Sequence, residues 1–317
     1  MRRAWLVALL LLGLTGRAHA ADQCLFRETG DRTWTLEADC SVTASIVLPD
    51  GITLDGAQHT IVAVDPPTGS FRGAIIASAG STANVINTVL SSAMLANVCR
   101  EGNDRLRAIY FNGAAGTIRG NTIVNVNKGT SGCQEGNGIE VRNIDLTGPQ
   151  LAVDILDNDV EGFQKTGIVV SGNVDATIRG NNIGPSSAQR QMVTNGVQVG
   201  AGARALIEGN IVSGNSWAGG DAAATAILLL NTGPGTVVRG NTIVGNADVG
   251  IYVMANDVRV ERNRLTDTGN DGAFDVGIGN YGDRNVFDGN SINGFYYRYQ
   301  NVDDPDSGLA NTTLAAR

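Results

Sequence analysis

Apolar and polar residues alternate along this chain in short runs that recur at a nearly constant interval. The most regular run is Gly-Ile-x-Val or a close variant of it, and successive copies start 24 to 30 residues apart. The copies begin at Ala108, Gly138, Gly167, Gly196, Ala226, Gly250 and Gly277. Such alternation has the period of a β-strand that buries one face. The spacing therefore predicts a stack of equivalent short strands, and we name the predicted sheet PB1.

A second run, close to Ile-x-Gly-Asn-x-Ile, falls between the copies of the first. Its asparagines are Asn121, Asn181, Asn210, Asn241 and Asn290, and Asn158 and Asn263 fill the two gaps. The glycine permits backbone angles that other residues avoid, so the chain is expected to bend there. Stacked asparagines can hydrogen-bond to one another, as in stacked parallel sheets. We therefore predict that Asn181, Asn210 and Asn241 point inward and bond between coils.

The repeats resemble a known architecture. Short strands cannot stand alone, but stacking them buries a continuous core. The two runs, together with the stretch from Ile46 to Gly56 and the following His59-Thr60-Ile61, resemble the repeats of pectate-lyase-like and polygalacturonase-like proteins. They are most similar to NosD-type repeats, and the resemblance covers about residues 46–295. It implies an all-β fold, a single-stranded right-handed parallel β-helix of about eight to nine coils with an N-terminal cap.

The resemblance concerns architecture, because the enzyme signatures found on this fold are absent from the sequence. Polygalacturonases carry Asn-Thr-Asp, Gly-His-Gly and Arg-Ile-Lys motifs, and pectate lyases carry Arg-x-Pro-x-x-Arg. None of these occurs here. One fold hosts many functions, so no specific enzyme family is matched and no catalytic residue transfers by motif.

Four segments follow along the chain. Residues 1–20 are predicted to be a signal peptide, because two arginines precede an apolar stretch and Ala18-His19-Ala20 fits the cleavage pattern. Residues 21–45 are expected to form the N-terminal cap, 46–300 the β-helix and 301–317 a C-terminal tail. His59 is assigned to a structural turn. We expect a secreted protein, either extracellular or periplasmic.

Composition and charge limit the kinds of partner that the protein is expected to bind. The net charge is −8, which disfavours binding to nucleic acid. Basic amphipathic stretches are missing, so we expect no membrane insertion, and we expect a monomer. The chain has 42 glycines, which disfavours a helix-rich globule.

The four cysteines predict two disulfides in an exported protein. Cys24 and Cys40 both lie in the predicted cap. Cys99 and Cys133 precede neighbouring PB1 strands and so lie on the same side of adjacent coils. We predict the pairs Cys24–Cys40 and Cys99–Cys133. No Cys-x-x-C motif or Cys/His cluster suggests zinc, and we assign no metal ligand.

Uneven connections suggest where a ligand binds. The longest connections span residues 124–137, 184–195, 213–225 and 266–276, and all precede PB1. Insertions on one face of a solenoid commonly build its binding face. By resemblance to related enzymes, a substrate would lie across PB1 and these loops.

The outward positions of PB1 supply candidate site residues. These positions are Tyr110, Glu140, Val169, Gln198, Leu228 and Tyr252. They form either ordinary surface or a saccharide groove, in which the tyrosines offer apolar faces and the polar residues bind hydroxyl groups.

The chain has only two lysines, Lys128 and Lys165, and both lie in or beside loops that lead to PB1. They are either solubilising residues or candidates for a general base, because a lysine with a lowered pKa can remove a proton. We predict a catalytic group in which Lys165 is the base of a β-elimination and Arg142 neutralises a uronate carboxylate. Glu140 and Gln198 would then hold hydroxyl groups.

A second, acidic group lies towards the C-terminal coils. Asp221, Asp248, Asp271 and Asp275 belong to it, and Asp248 and Asp275 each lie two residues before a PB1 glycine. Two carboxylates on adjacent coils can catalyse hydrolysis or bind calcium. The alternative is that these are solvated acidic loops. Calcium is the one cofactor that the sequence suggests.

Two functions remain open from the sequence. In the first, the protein binds and depolymerises an extracellular polysaccharide as a polysaccharide lyase or glycoside hydrolase. In the second, it is a non-catalytic glycan-binding or cell-envelope structural protein. The missing motifs favour the second, whereas the one-sided loops and localised lysines favour the first. A copper-assembly role is disfavoured, because His59 is the only histidine beyond the predicted signal peptide.

Overall fold

The computed structural model describes residues 18–21, 24–30, 32–269, 274–303, 305, 306, 308, 310 and 311. Within these residues the chain winds through three sheets, and each turn of the solenoid adds one short strand to every sheet. The described part contains nine complete coils, and its only helix is the 3-10 turn Gly102–Asp104. The predicted all-β, right-handed parallel β-helix is therefore confirmed.

PB1 contains ten parallel strands, and every predicted Gly-Ile-x-Val copy lies in it. Its strands are Ile46–Leu48, Ala74–Ser78, Arg107–Asn112, Asn137–Asn143, Thr166–Gly172, Asn195–Gly200, Thr225–Leu230, Val249–Met254, Val276–Asn280 and Tyr297–Gln300. We number the coils 1 to 9 by the first nine of these strands, and the tenth strand follows coil 9.

The second sheet, PB2, contains thirteen strands. They are Ala18–Ala21, Cys24–Thr29, Thr33–Leu36, Ile52–Asp55, Thr82–Ile86, Ala115–Arg119, Leu151–Leu156, Val174–Arg179, Arg204–Glu208, Val237–Arg239, Arg259–Glu261, Asn285–Asp288 and Ala310–Asn311. The first three strands pair antiparallel with one another, and the last one is antiparallel to its neighbour. The strand Thr33–Leu36 joins them to coil 1 in parallel.

The third sheet, PB3, contains ten parallel strands. They are Cys40–Val42, Thr60–Ala63, Val89–Ser92, Thr122–Val124, Asp159–Glu161, Asn182–Ile183, Ile211–Ser213, Thr242–Gly245, Arg264–Asp267 and Ser291–Asn293. The four connections predicted to be long all run from PB3 to the next PB1 strand, whereas the connections of residues 162–165, 246–248 and 294–296 on the same side are short. The structure adds two long connections that the sequence did not single out, residues 64–73 and 93–106.

Asparagines stack at the turn from PB2 to PB3. The side-chain oxygen of Asn210 accepts hydrogen bonds from the backbone and side-chain nitrogens of Asn181, each at 2.9 Å. The side-chain oxygen of Asn241 accepts the corresponding two bonds from Asn210, at 3.0 and 2.9 Å. These asparagines are 1% exposed. The preceding Gly180 has φ of +68°, a left-handed conformation that glycine adopts without strain. The predicted inward orientation and inter-coil bonding of Asn181, Asn210 and Asn241 are confirmed.

Other predicted features follow the coil register. Both predicted disulfides, Cys24–Cys40 and Cys99–Cys133, are present. The His59 backbone N–H closes a turn by bonding to the Gly56 carbonyl at 2.8 Å. Inward-facing aliphatic and aromatic residues form one core along the solenoid. Among the described residues, no helix is both long and apolar enough to cross a lipid bilayer.

Candidate functional site

The outward positions of PB1 form one row across the coils. Tyr110, Glu140, Val169, Gln198, Leu228 and Tyr252 pair in register from strand to strand, and the row continues through Gly279 to Gln300. Tyr110 and Glu140 are only 5% and 7% exposed, whereas the members on coils 5 to 8 are partly exposed. The accessible part of the row therefore begins at coil 5.

Coils 3 and 4 are covered because Arg107 turns across the row. Its guanidinium pairs with Glu140, at 2.6 Å from Nε to Oε2 and 3.2 Å from Nη2 to Oε1. It also lies 4.2 Å from the centre of the Tyr110 ring, a cation–π contact. Burial raises the pKa of the Tyr110 phenol, and the charge of Arg107 opposes that rise. Both Glu140 oxygens are thus engaged by an arginine of this chain.

Arg142 lies apart from Lys165. It is paired in register with Ser171, six residues beyond Lys165 on the neighbouring strand, so the two backbones are about 20 Å apart along the strand direction. Arg142 and Glu140 line a shallow pocket together with Ile144 and Leu146. The structure therefore brings Lys165 and Gln198 together, and places Glu140 and Arg142 in a different pocket.

A groove of about 520 Å³ lies over the open part of the row, and we call it the PB1 groove. Its floor is the PB1 row itself. Among its lining residues are Lys165, Val193, Asn195, Gln198, Asp221, Ala222, Ala223, Leu228, Leu230, Tyr252, Met254, Phe274, Gly279, Tyr281 and Gln300. Five of the predicted candidate residues share this concave surface: Lys165, Gln198, Asp221, Leu228 and Tyr252. Its volume is in the range of about 300–1,000 Å³ that is common for ligand sites.

An aromatic pair lies at coils 8 and 9, towards the Gln300 end of the groove. The rings of Tyr252 and Tyr281 meet edge to face, with their centres 5.2 Å apart. Gly279 lies beside both rings, and a β-carbon built on it would be 3.5 Å from Tyr252 and 3.6 Å from Tyr281. Burial raises the pKa of the Tyr252 phenol, so this ring is neutral at ordinary pH. The absence of a side chain at Gly279 keeps the two aromatic faces accessible.

Two glutamines flank this pair, and each is oriented by a neighbour. Asn195 donates from its amide to the Gln198 Oε1 at 3.1 Å, and Thr225 donates to the Asn195 Oδ1 at 2.9 Å. The Tyr281 hydroxyl donates to the Gln300 Oε1 at 3.1 Å. In both glutamines the amide oxygen is already bonded within the protein. The amide nitrogens are therefore the groups that can donate hydrogen bonds to a ligand.

Lys165 stands at the coil 5 end of the groove. Its ammonium group donates to the Val193 carbonyl at 2.6 Å. Burial lowers the pKa of Lys165, and the positive charge of Arg105 lowers it further. The positive charge that acts on the Lys165 pKa is thus that of Arg105, where the sequence had suggested Arg142.

The other lysine, Lys128, is buried in a salt bridge within the protein. It is 2% exposed and pairs with the fully buried Glu135 at 3.0 Å. Glu135 also accepts backbone N–H groups of Arg100 at 3.0 Å and Leu106 at 2.7 Å. Lys128 is therefore engaged in holding two loops together and is not a surface residue.

Of the predicted acidic group, Asp248 and Asp275 directly precede PB1 strands that pair in register on adjacent coils. Asp248 is buried, and its carboxylate accepts backbone N–H groups of Trp217 at 3.1 Å and Ala224 at 2.9 Å, so it holds the loop before coil 7. Burial raises the pKa of Asp267, and the charge of Asp275 adds to the rise. Asp221 lines the groove. Asp271 lies outside the described residues.

One group of candidate metal ligands occurs in the described part of the chain, formed by Cys99, Cys133 and Glu135. Because the two cysteine sulfurs are joined in a disulfide, this group is not a metal centre.

Sequence reasoning missed several groove residues. Gln300 ends the tenth PB1 strand, Tyr297–Gln300, which no Gly-Ile-x-Val copy marks in the sequence. Tyr281 directly follows the last PB1 repeat, so extending the outward pattern past that repeat would have found it. Arg105 lies in a loop without a repeat, and no sequence pattern places it beside Lys165.

Comparison with solved structures finds other β-helices. The periplasmic alginate epimerase AlgG is 13% identical, with 90% of this chain and 72% of that chain covered and a TM-score of 0.38. PfbA, a surface adhesin of Streptococcus pneumoniae, is 13% identical over 92% and 80%, with a TM-score of 0.37. The Azotobacter vinelandii mannuronan C-5 epimerase AlgE6 A-module is 14% identical over 90% and 89%, with a TM-score of 0.31. At these identities the likeness concerns the fold alone.

Comparison with curated proteins finds no match. The family model described as the right handed beta helix region matches residues 142–304, which is more than half of the chain. The protein therefore belongs to the right-handed beta helix family.

Proposed function

We propose that the protein binds an extracellular polysaccharide in the PB1 groove. The observation that carries this proposal is the aromatic pair Tyr252 and Tyr281, flanked along one row by Gln198 and Gln300. Aromatic rings pack against the apolar C–H faces of sugars, and oriented amide N–H groups bond to hydroxyl and ring oxygens. An elongated groove with this alternation suits a chain of sugar rings better than a compact metabolite.

Binding can be tested with a panel of alginate, polygalacturonate and dextran, using isothermal titration calorimetry. Gly279→Leu would fill the floor between the two rings, and Tyr252→Ala would remove one of them. We expect each change to weaken binding at least tenfold, a loss of about 1.4 kcal/mol. Ile211→Ala on PB3 is the matched control, because it removes an exposed apolar side chain outside the groove. Unchanged binding in both groove variants would reject this site.

A second candidate function, β-elimination from a uronate, is favoured by the lowered pKa of Lys165 beside Arg105. In such a step neutral Lys165 would take the proton from the carbon next to the carboxylate. The C–O bond to the leaving sugar would then break, and that sugar oxygen would gain a proton. Arg105 would offset the charge that develops on the carboxylate.

The elimination can be followed by the absorbance of unsaturated uronates, with and without EDTA. Activity in the wild type that is lost in Lys165→Met, with binding retained, would support the elimination. Loss of activity in EDTA that added Ca²⁺ restores would indicate a calcium requirement. If the wild type binds the panel polymer without cleaving it, the protein is a binding protein.

A further inference from the structure

We infer that the PB1 groove receives the end of a polysaccharide chain and not an internal stretch of it. This inference rests on the proposed function and specifies how the same site engages its ligand. It follows from the contrast between the two halves of PB1. One half is open and the other is covered by the chain itself.

The cover lies over coils 3 and 4. The loop of residues 93–106 leads into Arg107, which is 1% exposed and lies between Tyr110 and Glu140. Arg107 donates further bonds to the loop carbonyls of Gly102 at 3.1 Å and Arg105 at 3.0 Å. The loop and the PB1 row are thus joined through one buried guanidinium, which leaves Tyr110 and Glu140 only 5% and 7% exposed and blocks a sugar chain that follows the row from coil 5.

This cover is anchored as a wall and not as a movable lid. The Cys99–Cys133 disulfide ties it to the loop before coil 4. Fully buried Glu135 bonds to the backbone on both sides of the cover, at Arg100 and Leu106, and pairs with Lys128. Displacing the cover would break a covalent bond or expose a buried ion pair, which is strongly unfavourable.

The groove therefore has one closed end. Lys165 marks that end, because its backbone N–H donates to the Gly136 carbonyl at 3.3 Å and the preceding Gln164 donates to the Cys133 carbonyl at 2.8 Å, in the loop that the disulfide ties to the cover. Gln300 lies four coil steps from Gln198 in the row, which is about 19 Å. Tyr281 at the far end is 45% exposed. A polymer that follows the row enters beside Tyr281 and must terminate at Lys165.

Chain length tests this inference. The panel polymer that binds is compared at equal mass concentration, at full length and after partial hydrolysis to chains tenfold shorter. Because binding at an end depends on the concentration of ends, the shorter chains should bind about tenfold more tightly per unit mass. Equal binding per unit mass at both lengths would overturn the inference while leaving the proposed function intact. No binding at either length would overturn both.

A variant pair gives a second measurement on the full chain. Cys99→Ser combined with Cys133→Ser loosens the cover, and Cys24→Ser combined with Cys40→Ser removes the other disulfide as the control. In the first variant the advantage of short chains should shrink, because internal stretches gain access. In the control it should stay as in the wild type. A cover variant that folds like the control and keeps the full advantage of short chains would contradict the role of the wall.

Discussion

At the scale of single residues, Asn181 and Asn182 are neighbours with opposite environments. Asn181 is 1% exposed, and its side chain bonds to the Ile155 carbonyl at 2.9 Å and to the Asn158 backbone N–H at 3.0 Å. Asn182 faces solvent, where it bonds to Asp159. The two side chains therefore form a matched pair for testing the asparagine stack.

We predict that Asn181→Leu lowers the free energy of unfolding by at least about 2 kcal/mol. The substitution leaves more than one buried backbone group without a partner, and each costs about 1–3 kcal/mol. Asn182→Leu should change stability by less than about 0.5 kcal/mol, as surface substitutions usually do. Chemical denaturation of both variants measures the difference. Equal effects would show that the inward asparagines do not stabilise the coils.

Lys165 gives a prediction on pH. Its pKa is lowered below its ordinary value of 10.5 by burial and by Arg105, so the folded protein releases this proton at lower pH than the unfolded chain does. Between the two pKa values the unfolded state binds more protons, and stability contributed by this group therefore rises with pH. This contribution to stability is fully present only above pH 10.5, the ordinary pKa of a lysine.

The wild type should therefore gain stability relative to Lys165→Met as the pH is raised from neutral towards 10.5. Using the difference between the two proteins removes the contributions of groups that titrate in both, such as Tyr252. The free energy of unfolding is measured by denaturation at several pH values. A difference that stays constant with pH would contradict the lowered pKa.

Residue orientation in PB1 was predictable, because strict alternation decides which side chains leave the core. The alternation identified Gln198 and Tyr252, which line the groove. It could not foresee that Arg107 would cover Glu140, because Arg107 precedes the repeat and reaches across to the next coil. Pairing between coils depends on loop conformation, which has no periodic pattern.

At the scale of elements, the buried pair Lys128 and Glu135 lies in the loop before coil 4 and bonds to the loop before coil 3. Lys128 donates to the Val98 carbonyl at 2.8 Å, and Glu135 accepts the backbone N–H groups of Arg100 and Leu106. We predict that Glu135→Gln costs about 3–5 kcal/mol of stability, because it leaves the Lys128 charge buried without a counter-charge. Adding Lys128→Met to Glu135→Gln should recover part of that loss.

Thermal and chemical denaturation of the two single variants and the double variant give the coupling between these residues. Asp257→Asn is the control, because it breaks the exposed pair with Arg284 and should have little effect. Independent, additive effects of Lys128→Met and Glu135→Gln would show that the pair does not anchor the loops.

The loops were predictable in position and not in role. Their length variation placed them all before PB1, and the coil order correctly predicted Cys99–Cys133. Nevertheless, the loop of residues 93–106 was missed as a long connection, although it forms the cover over coils 3 and 4. The first regular repeat begins only at Ala108. The length of the connection before it therefore could not be measured from an earlier copy of the repeat.

At the scale of the whole molecule, the repeat itself determines the architecture. The coils contribute equivalent inward aliphatic positions, coils 3 to 9 add the same turn asparagine, and stacking them produces one continuous core. The spacing of the repeats marks seven of the nine described coils, and the resemblance to known repeats implied about eight to nine. The groove could not be predicted in this way, because its depth depends on the loops and on the absence of a side chain at Gly279.

The central claim is that the PB1 groove binds a polysaccharide end, and a crystal structure with a bound oligosaccharide tests it most directly. Crystals are soaked with a short fragment of the polymer that binds in the panel. We predict density for sugar rings along the row from Gln300 to Gln198, packed on Tyr252 and Tyr281 and ending at Lys165. Density on another face, or a chain that continues over Tyr110 and Glu140, would contradict this account.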